Sequence, residues 1–330
     1  MQIAGRRVLV TGADGFIGSH LVELLVECGA QVRALSLYNS FNDWGWLETL
    51  DCLSNIEVVT GDVRDPHLCT HLMRGIDAVF HLAALIPIPY SYRAPSSFVE
   101  TNVMGTLNIC QAALAASVVR LVHVSTSEVY GTARYVPMDE AHPLQPQSPY
   151  SATKVGADAI AASFHCSFEL PVVTARPFNA YGPRQSARAV IPTIISQIAG
   201  GKQAIHLGET TTTRDFTFVK DTARGLLAVA EMDGGAGEVF NIGSNSEVSI
   251  GELFRLIAKL MESDAEIAVD EARKRPENSE VMRLWSNTAK LEAATGYRPC
   301  TPLAEGLART IAWFREPANL RRYKADIYNV

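Results

Sequence analysis

A tyrosine and a lysine four residues apart give the first sign of chemistry in this chain. Tyr150 and Lys154 lie in the run Tyr-Ser-Ala-Thr-Lys, and side chains at i and i+4 of a helix share one face. A nearby ammonium lowers the pKa of a phenol and can also hold a ribose hydroxyl. A tyrosine placed in this way can remove a hydroxyl proton while hydride leaves for a nicotinamide ring. The spacing therefore predicts acid–base chemistry coupled to hydride transfer.

Hydroxyl and carboxylate side chains follow a predicted buried strand, Arg120–Ser125. Active-site residues of parallel α/β sheets collect at the carboxyl ends of the strands. Thr126 can hydrogen-bond the reacting hydroxyl, and Glu128, two residues on, can share a face with it. Ser127 lies between them. The alternative is that these polar side chains only satisfy backbone groups where the strand ends.

Three glycines spaced three apart join the first predicted strand to an amphipathic helix, in the run TGADGFIG over residues 11–18. Gly12 permits a tight turn, Gly15 lets backbone amides approach a diphosphate, and Gly18 lets the helix pack close to the sheet. Phe16 and Ile17 lie at the helix N-terminus, where unpaired N–H groups attract an anion. The pattern predicts a dinucleotide site, although glycines also simply end strands.

Ser36 stands where a carboxylate normally ends the second strand and binds the adenosine ribose. Its absence removes repulsion against a 2′-phosphate, yet no arginine follows to hold such a phosphate. NAD and NADP therefore both stay open, and we favour NAD. Asp62 and Val63 follow the third strand. Asp62 can accept a hydrogen bond from the adenine amino group, or it is an ordinary turn aspartate.

Alternating strands and helices supply the scaffold that these residues need. The predicted strands are Arg7–Thr11, Gln31–Leu35, Ile56–Thr60, Asp77–Leu82, Arg120–Ser125 and Pro171–Arg176. The predicted helices are Ile17–Cys28, Pro66–Arg74, Ser96–Ala116 and Tyr150–Phe168. Their order predicts an α/β fold with a Rossmann-like doubly wound parallel sheet. After Arg176 the alternation weakens, which indicates a smaller, discontinuous C-terminal lobe. We expect a dinucleotide-binding domain of residues 1–176 plus about 218–242, and a substrate lobe of 177–217 plus about 243–330.

The composition excludes several functional classes for the 330 residues. The net charge is −6 with no basic block, so a nucleic-acid partner is not expected. No run of eighteen apolar residues occurs, so a membrane span is not expected either. The chain enters its first strand without a signal-peptide pattern, which favours a cytoplasmic location. Scattered cysteines and unpaired histidines give no metal site.

Six motifs together resemble the extended short-chain dehydrogenases/reductases, the NAD-dependent epimerase/dehydratase family. They occur in the order of that family, as TGADGFIG (11–18), GDV (61–63), HLAA (81–84), STSEVYG (125–131), YSATK (150–154) and RPFNAYGPR (176–184). The resemblance implies a nucleotide-diphosphate sugar as substrate and a tightly bound, internally recycled NAD or NADP. It also implies a homodimer through a four-helix bundle of the helices Ser96–Ala116 and Tyr150–Phe168.

The resemblance further implies residue roles. Thr126, Tyr150 and Lys154 would carry out the oxidation. The cofactor contacts would include Leu82, Ala83 and Ala84. The sugar nucleotide would meet Pro87, Tyr90, Asn179, Arg188, Arg214 and Arg275.

Within this family each candidate reaction begins with oxidation at sugar C4. A 4,6-dehydratase then needs a base for the C5 proton and an acid for the C6 hydroxyl, and Glu128 supplies a carboxylate for this work. Ser127 stands where many dehydratases carry an aspartate, so the acid is either Glu128 again or a held water. A 4-epimerase needs no such base. A UDP-glucuronate decarboxylase needs a further cation, for which Arg93 and Arg184 are candidates.

Four segments narrow the resemblance to one subgroup, the nucleotide-activated N-acetylglucosamine 4,6-dehydratases of legionaminic acid biosynthesis. These segments are residues 38–47, 87–92, 185–192 and 275–281. Our hypothesis is a 4,6-dehydratase that converts UDP- or GDP-N-acetylglucosamine to the 4-keto-6-deoxy sugar. A remote alternative is a non-catalytic regulator that senses dinucleotide, although such chains commonly lose the tyrosine or the lysine.

Overall fold

A seven-stranded, wholly parallel sheet forms the centre of the computed structural model, which describes residues 1–324 and residue 327. Its strand order is β11-β6-β5-β4-β1-β2-β3. The strands are β1 (Arg7–Thr11), β2 (Gln31–Leu37), β3 (Ile56–Gly61), β4 (Ala78–His81), β5 (Arg120–Val124), β6 (Val172–Pro177) and β11 (Val239–Ile242). The order reverses between β1 and β4, and this is where a crevice opens at the carboxyl edge of such a sheet. The prediction of a Rossmann-like α/β fold is confirmed.

Helices cover both faces of the sheet. They are α1 (Phe16–Glu27), α2 (Pro66–Leu72), α3 (Ile88–Ser91), α4 (Pro95–Phe98), α5 (Gly105–Ala115), α6 (Pro149–Phe168), α7 (Val190–Ala199), α8 (Val219–Glu231), α9 (Ile250–Leu260), α10 (Ala289–Thr295), α11 (Leu303–Arg315) and α12 (Pro317–Leu320). One buried apolar cluster joins the sheet to α1 and α8, and a second joins its other face to α2, α5 and α6. Because both faces are covered, the strands read as nearly continuous apolar runs.

The helix predicted over Ser96–Ala116 is not uniform. The structure divides it into α4, a π-helical segment over Val99–Met104, and α5. Asn102 of that segment accepts a hydrogen bond from Leu85 N at 2.8 Å and donates to Leu85 O at 2.9 Å and to Thr153 Oγ1 at 3.0 Å. A π segment shifts the helical register locally and is often found at functional sites. Here it fixes the chain that follows β4 against α6.

Three two-stranded sheets and a third apolar cluster occupy the part of the chain beyond β6. The remaining strands are β7 (Asn179–Tyr181), β8 (Ala204–Leu207), β9 (Thr213–Arg214), β10 (Phe216–Phe218), β12 (Val248–Ser249) and β13 (Glu266–Val269). They pair as β7 with β10, β8 with β13 and β9 with β12. The cluster includes Ile194 of α7, Leu253 of α9 and Leu307 of α11. The chain returns to the central sheet through α8 and β11, and residues 325–326 and 328–330 of the expected second lobe lie outside the described residues.

None of the helices in the described part of the chain is long and apolar enough to cross a membrane.

Candidate active site

A cavity of about 870 Å³ lies along the carboxyl edge of the sheet, and most of the predicted site residues line it. Those that line it are Gly12, Gly15, Phe16, Ile17, Gly18, Asp62, Val63, Leu82, Ala83, Ala84, Pro87, Tyr90, Thr126, Glu128, Tyr150, Lys154, Asn179, Arg188, Arg214 and Arg275. Ser36 and Ser127 are not among the lining residues.

The glycine loop is shaped so that its backbone approaches the cavity. Gly12 has φ of +65°, and a Cβ on Gly18 would lie 2.1 Å from the Gly12 carbonyl oxygen, so neither position accepts a side chain without a shift. No described side chain caps the start of α1, whose N-cap is Gly15. The first N–H groups of this 12-residue helix therefore stay available to an anion. These features fit the diphosphate of a dinucleotide.

Thr11 fastens the neighbouring strand β4 to the glycine loop. Its hydroxyl oxygen accepts hydrogen bonds from Leu82 N and Ala83 N, both at 3.1 Å, and lies 2.8 Å from His81 Nδ1. The segment after β4 is thereby held against the cavity, where Leu82, Ala83 and Ala84 lie. A polar residue at the end of β1 thus positions two predicted cofactor contacts through their backbone.

Asp62 lines the cavity, and its carboxylate is paired with Arg64. Its Oδ2 accepts from Arg64 Nε at 2.9 Å and from Arg64 Nη2 at 2.6 Å. Burial raises the pKa of the Asp62 carboxyl, but these hydrogen bonds and the Arg64 charge outweigh it, so the net shift is downward. The second carboxylate oxygen, Oδ1, accepts from Arg64 N at 2.9 Å, in the manner of a turn aspartate.

Tyr150 and Lys154 lie in the first turns of α6, and a capping box fixes that start. Ser148 accepts a hydrogen bond from Ser151 N at 3.1 Å, while Ser148 N donates to Ser151 Oγ at 3.0 Å. Lys154 is buried, and its Nζ donates to the Val124 carbonyl oxygen at 2.8 Å. The lysine is therefore tied to the last residue of β5, beside Thr126.

Burial decides how these two groups titrate. It raises the pKa of the Tyr150 phenol, and the Thr126 hydroxyl opposes that shift only in part, while the nearby Glu128 charge adds to it. Burial also lowers the pKa of the Lys154 ammonium to about 8, with the Asp158 charge acting in the other direction. The spacing of Tyr150 and Lys154 predicted that the ammonium lowers the pKa of the phenol. In the structure the desolvation of the phenol outweighs any such effect.

A buried ion network lies one helical turn beyond Lys154 and was not predicted. Asp158 receives hydrogen bonds from Arg176 Nη2 at 3.0 Å and Nε at 3.2 Å, and its Oδ1 lies 3.0 Å from His123 Nε2. Burial raises the pKa of the Asp158 carboxyl, but the bond to His123 and the Arg176 charge lower it overall. The signal available in the sequence was an aspartate at i+4 from Lys154, on the same helix face.

The side chains of Glu128 and Ser127, which follow β5, point to different surroundings. Thr126 Oγ1 accepts a hydrogen bond from Glu128 N at 3.2 Å, which starts a short 3₁₀ turn over Ser127–Tyr130. Glu128 lines the cavity, whereas Ser127 is 2% exposed and does not. Because of the tight turn, the side chains of these two neighbours point apart. Ser127 therefore makes no direct contact in the cavity, contrary to the prediction.

The far end of the cavity carries arginines around one carboxylate. Arg214 is buried and its Nη2 lies 3.2 Å from Glu280 Oε1, while Arg275 Nη1 lies 3.8 Å from the same oxygen. Burial lowers the pKa of Arg214, and the Glu128 and Glu280 charges oppose that shift. Asn179 Oδ1 is buried and accepts no hydrogen bond from any described residue. The cluster offers cationic donors and an unpaired acceptor to a polar ligand.

Glu280 lies within the segment 275–281 and had no predicted role. Its position five residues after Arg275 was the available signal in the sequence. Arg188 lines the cavity as expected, with Nε donating to Ser186 Oγ at 3.1 Å. Neither Arg93 nor Arg184 lines the cavity, and Arg184 is instead paired with Glu23 at 2.8 Å.

An apolar wall closes the cavity between its two ends. It consists of Leu85, Ile86, Pro87, Ile88, Pro89 and Tyr90. Asn102 holds the first of these residues by two backbone hydrogen bonds, and Phe98 packs between Tyr90 and Tyr150, with ring centroids 6.0 and 6.3 Å away. The wall therefore connects the predicted catalytic tyrosine to the predicted sugar contacts.

Comparison with known proteins defines the class. The family model for GDP-mannose 4,6 dehydratase matches residues 9–310. The chain is 35% identical to dTDP-D-glucose 4,6-dehydratase from Homo sapiens over 321 residues, which cover 94% of this chain and 90% of that protein. The chain therefore belongs to the NAD-dependent epimerase/dehydratase family of extended short-chain dehydrogenases/reductases, as its motifs predicted.

Solved structures give the same architecture with more than one activity. A double mutant of DesIV, a dTDP-glucose 4,6-dehydratase from Streptomyces venezuelae with NAD bound, matches with a TM-score of 0.84 and 34% identity, over 94% of this chain and 97% of that chain. A UDP-N-acetylglucosamine 4-epimerase from Methanobrevibacter ruminantium M1 matches with a TM-score of 0.85 and 30% identity, over 94% and 99% of the two chains. The fold alone therefore does not determine the reaction, which depends on the residues of the site.

Proposed function

We propose that this chain is a nucleotide-sugar 4,6-dehydratase. The observation that carries the proposal is Glu128, a carboxylate that lines the cavity beside the set Thr126, Tyr150 and Lys154. An enzyme that only oxidises and reduces C4 has no use for a second proton-transfer group at that place. Curated relatives from several organisms are 4,6-dehydratases, which agrees with this assignment.

The residues divide the proton transfers between them. NAD, held at the glycine loop, would accept hydride from sugar C4 and return it to C6. Tyr150 removes the proton of the C4 hydroxyl while Thr126 orients that hydroxyl, and the Lys154 ammonium stabilises the phenolate. Glu128 then takes the C5 proton, which the C4 ketone makes acidic. The C6 hydroxyl leaves as water with the proton that Glu128 took from C5. When hydride returns to C6, C5 takes a proton from solvent, and Tyr150 releases the proton that it took from the C4 hydroxyl. The sugar therefore loses one water with no net change in redox state.

The proton donor to the C6 hydroxyl follows from the same geometry. Ser127 is buried and turned from the cavity, so it does not donate to that hydroxyl. Glu128, protonated by the abstraction at C5, returns that proton to the departing hydroxyl, directly or through a held water. One carboxylate thus serves both steps, because the proton taken from C5 is the proton that leaves with the hydroxyl.

The proposed substrate is UDP- or GDP-N-acetylglucosamine. The arginines Arg214 and Arg275 would bind the diphosphate, since guanidinium groups form charge-assisted bonds with phosphate oxygens. Asn179, whose Oδ1 is unpaired among the described residues, would accept a hydrogen bond from the ligand. The apolar wall around Pro87 and Tyr90 would contact the acetamido methyl group.

The purified protein, incubated with a panel of UDP-, GDP- and dTDP-sugars, tests the proposal. We expect one N-acetylglucosamine nucleotide to lose one water without net consumption of cofactor, with solvent deuterium entering at C5. Mass spectrometry and proton NMR follow both changes. A product that keeps its C6 hydroxyl and has inverted C4 would refute the dehydratase and establish the second candidate, a 4-epimerase.

That second candidate is favoured by two observations. Epimerases are among the structural neighbours, and the buried Ser127 supplies no proton donor next to Glu128 where β5 ends. A UDP-glucuronate decarboxylase is less well supported, because Arg93 and Arg184 lie outside the cavity lining. The regulator alternative predicts dinucleotide binding with no turnover on any sugar of the panel.

We also propose a homodimer through the helices α5 and α6. The two helices present small exposed side chains, which are Ala115, Ala152, Ala159, Ala162 and Cys166. Small side chains allow close helix approach, and four helices from two copies would bury this surface. Burying apolar surface is favourable at about 25 cal/mol per Å².

A further inference from the structure

A carboxylate lies at the carboxyl end of β2, although the strand itself supplies none. Asp14 belongs to the glycine loop, between Gly12 and Gly15, and lines the cavity. Its Oδ2 accepts hydrogen bonds from Ser36 Oγ at 3.2 Å and from Leu37 N at 3.0 Å. The hydroxyl of Ser36 is therefore directed at Asp14, and the Ser36 side chain is fully buried. Ser36 does not line the cavity, so the predicted direct contact of Ser36 with a ribose is wrong.

The backbone around Asp14 is held in place by the loop that follows β2. Trp46 N donates to the Asp14 carbonyl oxygen at 3.0 Å. Gly45 has φ of +59°, and a Cβ at that position would lie 2.7 Å from the same carbonyl oxygen. Because this loop closes tightly over Asp14, the carboxylate keeps a fixed place at the strand end. Its Oδ1 accepts no hydrogen bond from the described residues.

The arginines of β2 and of the turn after β3 are engaged with other groups. Arg33 donates to Glu57 at 2.9 Å and to the Leu72 carbonyl oxygen at 2.7 Å. Arg64 is paired with Asp62 at 2.6 Å and with Glu100 at 3.5 Å. Neither guanidinium is available to an additional phosphate without breaking these pairs.

We propose that Asp14 selects NAD over NADP, in place of the missing carboxylate on β2. The end of the second strand is where the adenosine ribose lies in dinucleotide sites of this topology. A carboxylate there accepts hydrogen bonds from ribose hydroxyls and repels a 2′-phosphate. The inference rests on the proposed dinucleotide site but is independent of the sugar and of the reaction.

Binding measurements separate selection from a structural role. Calorimetry on the full chain, freed of resident dinucleotide, gives dissociation constants for NAD and for NADP. The variants are Asp14→Asn, which keeps the shape, and Asp14→Ser, which keeps a small polar group. Asp43→Asn is the matched control, because its carboxylate accepts from Gly45 N at 2.6 Å in the same loop but does not line the cavity. Cooperative thermal unfolding shows that each variant is folded.

We expect the wild type to bind NAD about 100-fold more tightly than NADP. The reason is that a carboxylate close to the 2′-phosphate would repel it and weaken the binding of NADP. Asp14→Asn and Asp14→Ser should lower that ratio at least about tenfold, mainly by strengthening NADP binding. Asp43→Asn should leave the ratio unchanged.

Equal weakening of both dinucleotides by the Asp14 variants would assign Asp14 a purely structural role and overturn the inference. Equal affinity of the wild type for NAD and NADP would overturn it as well. A wild type that binds neither dinucleotide would refute the proposed cofactor site itself, which is a distinct result.

Discussion

Glu128 is the side chain on which the proposed chemistry depends at the scale of single residues. Replacing Glu128 by glutamine keeps the size of the side chain but removes the base for the C5 proton. We expect elimination to slow by about 100-fold or more, because a positioned base contributes about that factor. Oxidation at C4 should continue in part, since Thr126, Tyr150 and Lys154 are untouched.

Product formation by mass spectrometry and the absorbance of reduced nicotinamide report these two steps separately. Glu169→Gln, at an exposed position just after α6, is the matched control and should retain full turnover. Wild-type elimination in Glu128→Gln would remove Glu128 from the role assigned to it.

At the scale of elements, the helices α5 and α6 serve two functions at once. Their buried faces pack on the sheet, where α6 also positions Tyr150 and Lys154, and their outer faces carry the small exposed residues of the proposed dimer. The π-helical segment ahead of α5 adds the contact of Asn102 to the wall of the cavity. A change in the dimer surface is therefore expected to reach the site through α6.

Ala159→Arg tests the dimer surface. The substitution places a long charged side chain on an exposed alanine near the middle of α6, where two close-packed copies would have no room or counter-charge for it. We expect light scattering to show a dimer for the wild type and a monomer for the variant. Ala308→Arg, at an exposed alanine of α11, should leave the dimer intact. A monomeric wild type, or a dimeric Ala159→Arg, would contradict the proposal.

At the scale of the whole molecule, one ion pair joins the first helix to the chain beyond β6. Arg184 donates to both carboxylate oxygens of Glu23, at 2.9 and 2.8 Å, and His20 Nε2 lies 3.0 Å from the Pro183 carbonyl oxygen. Burial raises the pKa of the Glu23 carboxyl, but the bonds and charges of His20 and Arg184 outweigh it and lower the pKa to about 2. We propose that this contact fastens the cofactor domain, 1–176 plus about 218–242, to the nucleotide-sugar lobe.

The pH dependence of stability follows from that shift. The pKa of Glu23 in the folded chain lies below its ordinary value of 4.5, so the contribution is complete above pH 4.5 and is lost as the pH falls towards 2. We expect Glu23→Gln to lower the free energy of unfolding by about 2 kcal/mol at pH 7, and the difference to shrink progressively below pH 4.5.

Urea unfolding of both proteins between pH 7 and pH 3 measures this difference. Glu27→Gln, at an exposed position on the same helix, is the control and should show little difference from the wild type at neutral pH. A wild-type advantage that stays constant down to pH 3 would show that the carboxylate charge of Glu23 does not contribute.

The sequence by itself determined the class of fold, the family and most of the cavity lining. The bounds of the strand Arg7–Thr11 were predicted to the residue, because a strand buried on both faces leaves an uninterrupted apolar signal. The glycine loop and the pair Tyr150 and Lys154 were also recognisable, since the chemistry of each depends on local spacing.

Only the tertiary structure decided which side chains meet across distant segments. Asp14 reaches the end of β2 from a loop more than twenty residues earlier, and Glu280 pairs with Arg214, which lies 66 residues earlier in the chain. Ser127 and Glu128, adjacent in the chain, are separated by one tight turn. The pKa of Tyr150 rises rather than falls, because desolvation depends on everything packed around the phenol and not on the spacing of two residues.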